Sequence, residues 1–596
     1  MTGRRGPRAV AGLMALAIAV SAGGVAPASG TAPRSLSTEC PSVLPLDQVA
    51  TGMKGTAVSV IRGRTLSTFG AEVLGILRDA VGPGRDIIIV NLSGSAVESS
   101  GGLWAGASGS PVFFRSGGSD RFAGAIAYGL AGGGSTLAGL TPAQDMMDLL
   151  SIGEDVAGAA SVRVPSALAA RMAAATGLSI TQTATLTRLK TPLSASGLTD
   201  RGLRHMQRAI DRQGLPFITY MGSSASDNPP TPPGALRSGD SFAAAMSLGD
   251  ITVAGIGTTT FVCEGKAVAF GHPFNWTGDT TMSARAADTI TIVKDEVFGS
   301  YKLANVAESV GTLTQDRLAG IVAELGEGPT GSPITSTVTD LDLSRTRTGQ
   351  SEAIFPEFLP FLSFVHLLQN IDVTIDRIGA GSSSIEYTIR GTRDAGATWE
   401  LTRATRYASP GDISFESSIE VGFTAEVLEA YDGEDIKVTS VDVPKLDVEE
   451  AFKRYNVKRL LVWNGSRYGS PDFITAEPGE RIRLRAVLQP VHTTGTTNVD
   501  LSVRVPESAR SSGYVEVLGG SSIGVEIPCF IVEEECVEET GQTFDQVLKA
   551  FENQPPGDAV VARLRLGDRE RLRSQASVRQ DAVVAGREAI AVLVVD

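Results

Sequence analysis

Short apolar runs separated by turn-forming residues fill most of this chain, and this pattern limits its folds more than any other feature. Between residues 40 and 150 the runs include TAVSVI, AEVLGIL, DIIIVNL and FAGAIAYGL, with clusters of Gly, Pro, Ser and Asp between them. Runs of this length with such boundaries are typical of β-strands. The pattern returns between residues 241 and 328 and again beyond residue 332. We therefore predict a mainly β protein.

The length of the chain and its shifts in composition predict several domains. A chain of 596 residues is longer than one hydrophobic core supports. Helical periodicity interrupts the β pattern between residues 160 and 215, and a stretch rich in Pro and Ser follows at 223–240. The predicted segments are a leader at 1–28, a β-rich half-domain at 38–155, a helical and linker insertion at 156–240, a second β-rich half-domain at 241–345, a β-rich module at 346–455 and a C-terminal β-sandwich-like module at 456–596.

The leader has the composition of a secretory signal peptide. A basic start, MTGRRGPR, precedes an apolar stretch from Ala9 to about Val20, and Ala26-Pro27-Ala28 fits a signal-peptidase site. The strongly apolar part is shorter than the roughly 20 residues of a membrane span, which argues against an anchor. We therefore expect a secreted mature protein with no stable membrane span.

The acidic balance of the chain argues against nucleic acid as a partner. Its formal net charge is −14 at pH 7, whereas phosphate backbones need a basic face. Export places the four cysteines in an oxidising compartment. Cys529 and Cys536 are close enough for a hairpin-type bridge, and Cys40 and Cys263 pair if their segments meet, so the connectivity stays open. No cysteine spacing fits a zinc site, and no cofactor is implied.

The stretch GGLWAGASGSPVFF, residues 101–114, is the first candidate for chemistry. A nucleophilic serine needs a base, donors for an oxyanion and small neighbours that admit a substrate. Gly106 and Gly109 give the backbone freedom to aim amides at one point, and the amides of Gly106 and Ser108 are the candidate oxyanion donors. The other interpretation of these residues is a tight turn of small side chains with no chemistry.

Only four histidines are available as a base. His205 lies in an amphipathic helical segment, His366 in the apolar run FLSFVHLLQ, and His492 in the loop QPVHTTGTT. These contexts favour a solvated helix residue for His205, a core or domain-interface residue for His366 and a plain loop residue for His492. His272 follows an apolar strand and Gly271 in KAVAFGHPF, a transition at which a base projects into a cleft. Its alternative is a turn histidine bonded to backbone.

Several stretches together resemble the stage IV sporulation protein B peptidase family, in the chymotrypsin-like serine peptidase clan. GASGSP is similar to the G-D-S-G-G-P turn of that clan and more similar to the G-M-S-G-S-P turn of this family. The other similar stretches, which together with the first are spread over about half of the chain, are Val49–Leu77, Phe122–Leu150, Gly249–Phe261, Ala267–Phe274 and Val310–Gly326.

The resemblance implies a fold and an active site. The fold would be a chymotrypsin-like double β-barrel in permuted order, because here the Ser-bearing half at 38–155 precedes the His-bearing half at 241–345. Ser108 matches the nucleophile and His272 the general base, with the amides of Gly106 and Ser108 as oxyanion hole. Chain order does not decide the geometry of such a site.

The third catalytic group has no clear match. The family places its acid shortly before the serine, and Ser93 stands at that position here. Asp279, Glu98 and Asp86 are the candidate replacements.

These expectations lead to two functional hypotheses. The first is a secreted serine endopeptidase that acts on protein or peptide substrates or on itself, with envelope or cell-wall proteins as further partners. The second is a catalytically inactive secreted binding or scaffold protein that retains the peptidase fold.

Overall fold

The computed structural model describes residues 40–130, 134–151, 161–223, 236–295, 299–523, 543–567 and 571–595. The predicted signal peptide and the predicted bridge between Cys529 and Cys536 lie outside these residues. Of the described residues, 53% are in strands and 18% in helices, so the prediction of a mainly β protein is confirmed.

The first sheet has eight strands, and six of them close into a ring. The strands pair in the order β4-β1-β2-β3-β6-β5-β8-β7, and β4 also pairs with β5, so that β1 to β6 form a closed cycle that we call the first ring. Its elements are β1 Lys54–Arg62, β2 Thr65–Gly82, β3 Arg85–Ser93, α1 Ser95–Ser99, β4 Pro111–Ser116, β5 Ser119–Leu130, β6 Leu137–Pro142, α2 Ala143–Asp148, β7 Ser161–Arg163, α3 Ser166–Thr176 and β8 Thr185–Arg188.

The second sheet has thirteen strands and contains a second closed cycle of six. This second ring consists of β11 to β16, which pair in the same internal order as β1 to β6, with β11 taking the place of β1. The elements up to the end of this ring are β9 Thr191–Ser196, α4 Asp200–Arg212, β10 Phe217–Met221, β11 Ser241–Gly249, β12 Thr252–Cys263, β13 Lys266–Ala269, β14 Gly278–Val293, β15 Tyr301–Arg317 and β16 Gly320–Leu325.

The second sheet continues beyond its ring into a layer covered by two helices. Strands β17 Ser332–Asp340, β18 Arg345–Ala353, β19 Gly381–Arg393, β20 Ala397–Ser409 and β21 Lys437–Glu449 extend it, and α5 Leu359–Ile375 and α6 Ile413–Glu429 pack on it. With its preceding turn, α5 makes a helical stretch, Pro356–Ile375, that is long and apolar enough to span a membrane. Since 67% of its apolar 18-residue window is buried, we interpret it as a core helix.

The C-terminal strands form two five-stranded sheets that share one apolar core. Their elements are β22 Arg454–Trp463, β23 Tyr468–Gly469, β24 Phe473–Ala476, β25 Arg481–Pro490, β26 Thr497–Arg504, β27 Gly513–Gly519, α7 Phe544–Asn553, β28 Ala559–Leu566, β29 Arg571–Arg579, β30 Val583–Ala585 and β31 Arg587–Val594. The helix α7 packs on β20, where the rings of Phe544 and Trp399 lie 5.3 Å apart.

The two rings are held together by a shared core and by a covalent bond. Phe122 of the first ring meets Phe261 of the second edge to face at 5.6 Å, inside an apolar cluster drawn from both rings. A disulfide joins Cys40 to Cys263 at the end of β12, so these two segments do meet. The functional candidates lie at this contact between the rings.

Candidate functional site

The segment Trp104–Ser110, which we call the serine turn, leads into β4 and depends on two glycines. Gly106 and Gly109 have φ angles of +88° and +92°, in the left-handed region that only glycine adopts freely. Ser108 lies between them, is 0% exposed, and its Oγ has no hydrogen-bond partner among the described residues. A buried hydroxyl without a partner is costly and needs an explanation.

Strand β12 of the second ring is hydrogen-bonded to the serine turn. Thr258 N donates to Ser108 O at 2.9 Å, Thr258 Oγ1 donates to Gly106 O at 3.0 Å, and Thr260 Oγ1 donates to Gly109 O at 2.8 Å. The approach at Gly109 is so close that a Cβ there would overlap Thr258 O. The turn is therefore part of the contact between the rings.

The peptide planes of the serine turn leave two amides free. Lys302 N donates to Ala105 O, and Ser110 N donates to Ala107 O, both at 2.9 Å. In a trans peptide the N–H points away from the C=O, so the amides of Gly106 and Ser108 point away from these two donors. Neither amide donates a backbone hydrogen bond within the described ranges. These are the two amides expected for an oxyanion hole.

His272 lies in the segment Phe270–Thr277, which we call the histidine loop and which connects β13 to β14. Its Nδ1 lies 2.8 Å from Pro273 O. Because a carbonyl oxygen only accepts, Nδ1 carries the ring proton and Nε2 keeps a free lone pair. Nε2 is buried and has no partner in the part of the chain that the structure describes.

The surroundings of His272 keep its ring neutral. Burial, and after it the positive charge of Arg188, lowers the pKa of His272 to about 3. A neutral imidazole with a free Nε2 is the form that takes a proton from a hydroxyl.

The serine turn and the histidine loop occupy equivalent places, since each connects the third and fourth strands of its ring. They also touch the same part of β5. Gly109 N donates to Ile126 O at 2.8 Å, and a Cβ on Gly271 would lie 3.3 Å from that same oxygen. A Cβ on Gly109 would lie 2.6 Å from Phe270 N. Ser108 Oγ and His272 Nε2 thus come from adjacent backbone, although no hydrogen bond joins them.

None of the candidate acids is bonded to His272. The Asp279 side chain is 86% exposed and pairs with Arg317 at 2.6 Å. Glu98 is exposed in α1, and Asp86 pairs with Arg78 at 2.6 Å. Ser93 is exposed at the end of β3. The polar partner of His272 Nδ1 is the Pro273 carbonyl.

A carboxylate that the sequence analysis missed organises the histidine loop. Asp316 is 0% exposed, and its oxygens accept from the backbone N atoms of Phe274, Asn275 and Trp276 at 2.6–2.7 Å. Burial raises the pKa of Asp316, while these amides act in the opposite direction. Its signal in the sequence was an acidic residue inside the strand-like run VGTLTQDRLAG, within one of the stretches that carry the resemblance.

A buried lysine, Lys302, which the sequence analysis also missed, is linked to the serine turn through Thr258 of β12. Lys302 is 0% exposed and donates from Nζ to Thr258 Oγ1 at 3.1 Å, Ser241 Oγ at 3.2 Å and Gly257 O at 3.5 Å. Burial lowers the pKa of Lys302 to about 7. Since Thr258 Oγ1 donates onward to Gly106 O, the lysine is linked to the turn through one hydroxyl.

The remaining histidines lie away from the serine turn. His366 is buried in α5, with Nε2 2.8 Å from Ser336 Oγ and Nδ1 2.9 Å from Ser351 Oγ, and is a core residue as predicted. His205 packs against two phenylalanine rings, and His492 against one.

Comparison with known proteins gave no match to a protein-family model, to a curated protein or to a solved structure.

Proposed function

We propose that this chain is a secreted serine endopeptidase of the sporulation protein B type, with a permuted chymotrypsin-like double barrel. The observation that carries the proposal is that two orphaned groups, Ser108 Oγ and the free Nε2 of a neutral His272, come from adjacent backbone in equivalent loops of two rings. Two six-stranded cycles with one internal strand order support the double barrel.

In the proposed reaction Ser108 Oγ attacks the carbonyl carbon of a peptide bond, and His272 Nε2 takes the hydroxyl proton. The carbonyl oxygen becomes an oxyanion that accepts hydrogen bonds from the amides of Gly106 and Ser108. His272 then gives the proton to the leaving amine, and an acyl-enzyme on Ser108 remains. Water, with His272 again as base, releases the acid and restores the serine.

Among the described residues no carboxylate is bonded to His272 Nδ1, and this limits the efficiency of the proposed pair. The Pro273 carbonyl fixes the tautomer of His272, which is one of the two tasks of a catalytic acid. It does not supply the negative charge that stabilises the imidazolium, so we expect slow turnover. The resting pair is also not hydrogen-bonded, so Ser108 Oγ has to come within hydrogen-bond reach of His272 Nε2 when a substrate binds.

The test is covalent labelling by a fluorophosphonate, which reports an activated serine without knowledge of the substrate. We expect wild type to be labelled, Ser108→Ala to be unlabelled, and His272→Ala to be labelled roughly a thousandfold more slowly. Ser110→Ala is the matched control, because that hydroxyl is also buried and unpartnered but should not react.

A second candidate function is a binding protein that retains the fold. The unbonded Ser–His pair and the missing acid favour it. Folded wild type that takes no label at Ser108 would decide for this second candidate and against the peptidase.

A further inference from the structure

Arg188 lies beside the histidine loop without taking part in the proposed reaction. It ends β8, where it pairs in register with Tyr128 of β5. The next residue, Leu189, donates to Ala127 O at 3.0 Å, and a Cβ on Gly271 would lie 3.5 Å from the Ala127 side chain. The charge of Arg188 acts on His272, and the charge of Asp316 acts on Arg188.

The guanidinium of Arg188 is half-buried and has no bonded partner. Its Nε is buried without a hydrogen bond, and within the described residues the side chain makes neither an ion pair nor a hydrogen bond. Asp316, the nearby carboxylate, already accepts from backbone amides through both oxygens.

Two buried arginines elsewhere in the chain, Arg201 and Arg403, are paired. Arg201 lies 3.0 Å from Asp372, and Arg403 lies 2.9 Å from Glu420. Leaving a guanidinium desolvated and unpaired costs free energy, and burial indeed lowers the pKa of Arg188. A guanidinium left unpaired at the edge of a candidate site indicates a group that awaits a partner.

We propose that Arg188 binds a carboxylate of the peptide substrate beside the scissile bond and so sets a preference for acidic substrates. The proposal rests on the proposed function, since it places the carboxylate next to the reacting serine. The planar guanidinium presents parallel N–H donors that match the two oxygens of a carboxylate. The net charge of −14 on the chain repels acidic peptides in general. An unpaired cation at the site attracts their carboxylates locally and so favours peptides that place a carboxylate there.

Two sources supply such a carboxylate, an acidic side chain and a free C-terminus, and three octapeptide libraries distinguish them. The first is acetylated and amidated with one fixed glutamate, the second has glutamine at that position, and the third is the glutamine library with a free C-terminal carboxyl. Each library is equilibrated with immobilised Ser108→Ala protein, and the retained peptides are quantified by mass spectrometry.

We expect at least one carboxylate library to bind about tenfold more tightly than the neutral library, which is the usual size of a charge-assisted hydrogen bond. Arg188→Gln in the Ser108→Ala protein should remove this preference, and Arg188→Lys should retain part of it. The control is Lys190→Gln, which removes an exposed charge two residues away and should leave the preference unchanged.

The result that overturns the inference is equal retention of all three libraries, or a preference that survives in Arg188→Gln. Fluorophosphonate labelling of Ser108 is scored separately in wild type. Labelling without any carboxylate preference leaves the peptidase standing and removes the role of Arg188. A preference lost in Arg188→Gln, in a protein that takes no label, leaves the carboxylate site standing and removes the peptidase.

Discussion

At the scale of single residues, two glycines decide whether the serine turn can exist. Both have positive φ angles, but Gly109 is also pressed against β12 and the histidine loop, where a Cβ would overlap Thr258 O and lie 2.6 Å from Phe270 N. Gly52 has a similar φ of +83° and open space around it. A comparison of Gly52 with Gly109 therefore separates the cost of a positive φ angle from the cost of a steric overlap.

We predict that Gly52→Ala lowers the free energy of unfolding by about 1–2 kcal/mol, the cost of the left-handed conformation alone. Gly109→Ala should cost more than about 4 kcal/mol, or displace the turn and abolish labelling at Ser108. Urea unfolding and the labelling rate of both variants measure this. Equal effects of the two substitutions would contradict the close approach.

Two buried histidines make the fold sensitive to acid. Burial lowers the pKa of His272 to about 3 and that of His366 to about 4, whereas both titrate near 6.5 in the unfolded chain. Between pH 6.5 and about 4 the unfolded state therefore binds protons that the folded state does not, and stability is lost as the pH falls. Each histidine contributes a slope of about 1.4 kcal/mol per pH unit.

A buried carboxyl acts in the opposite direction over part of this range. Burial raises the pKa of Glu429 to about 7, which favours the folded state as the pH falls. The contribution of His366 therefore shows as a difference in pH slope between a His366 variant and wild type. His366→Gln should unfold with a pH slope between 6.5 and 5 that is smaller than that of wild type by about one proton. An unchanged slope in thermal unfolding would show that His366 is not buried in its neutral form.

At the scale of elements, the histidine loop is shaped by Asp316 from a neighbouring strand. Three consecutive amides of the loop point at one buried carboxylate, so the position of His272 depends on a residue 44 positions later. The loop has little regular structure of its own, and Trp276 holds a φ of +61°. The Asp316 carboxylate accepts the amide hydrogen bonds that a neighbouring strand would otherwise accept.

We predict that Asp316→Asn lowers the free energy of unfolding by about 1–3 kcal/mol and slows labelling of Ser108 by roughly ten- to a hundredfold. The amide retains one acceptor oxygen, but its NH₂ group faces backbone donors. The control is Asp279→Asn, an exposed carboxylate, for which a change within about 0.5 kcal/mol is expected. Similar losses in both variants would argue against this role.

At the scale of the whole molecule, the candidate site depends on the contact between the two rings. The serine turn is bonded to β12 of the other ring, and the disulfide between Cys40 and Cys263 crosses the same contact with a separation of 223 residues. Closing so long a loop restricts the unfolded chain, which the chain-entropy account values at up to about 5 kcal/mol.

We predict that the double substitution Cys40→Ala and Cys263→Ala lowers the thermal midpoint and slows labelling of Ser108. A reducing agent should produce a comparable shift in wild type. Any further shift that the reducing agent causes in the double variant would report the second bridge predicted between Cys529 and Cys536. An unchanged midpoint in the double variant would contradict a stabilising disulfide.

The sequence by itself determined what depends on neighbours along the chain. Turn-forming residues between short apolar runs predicted the β class, Gly106 and Gly109 predicted a special turn around Ser108, and the apolar context of His366 predicted a core residue. These signals are local because side-chain periodicity and backbone freedom act over a few residues.

Only the tertiary structure decided what depends on partners far apart in the chain. It closed two rings of six strands and brought the loops that carry Ser108 and His272 to one stretch of β5. Beside them it left Arg188 without an ion pair in the part of the chain that the structure describes. It also gave Asp316 a role in the histidine loop that no neighbour along the chain indicates. Strand pairing and burial depend on many residues at once. The identity of one residue therefore does not predict which distant residue it will contact.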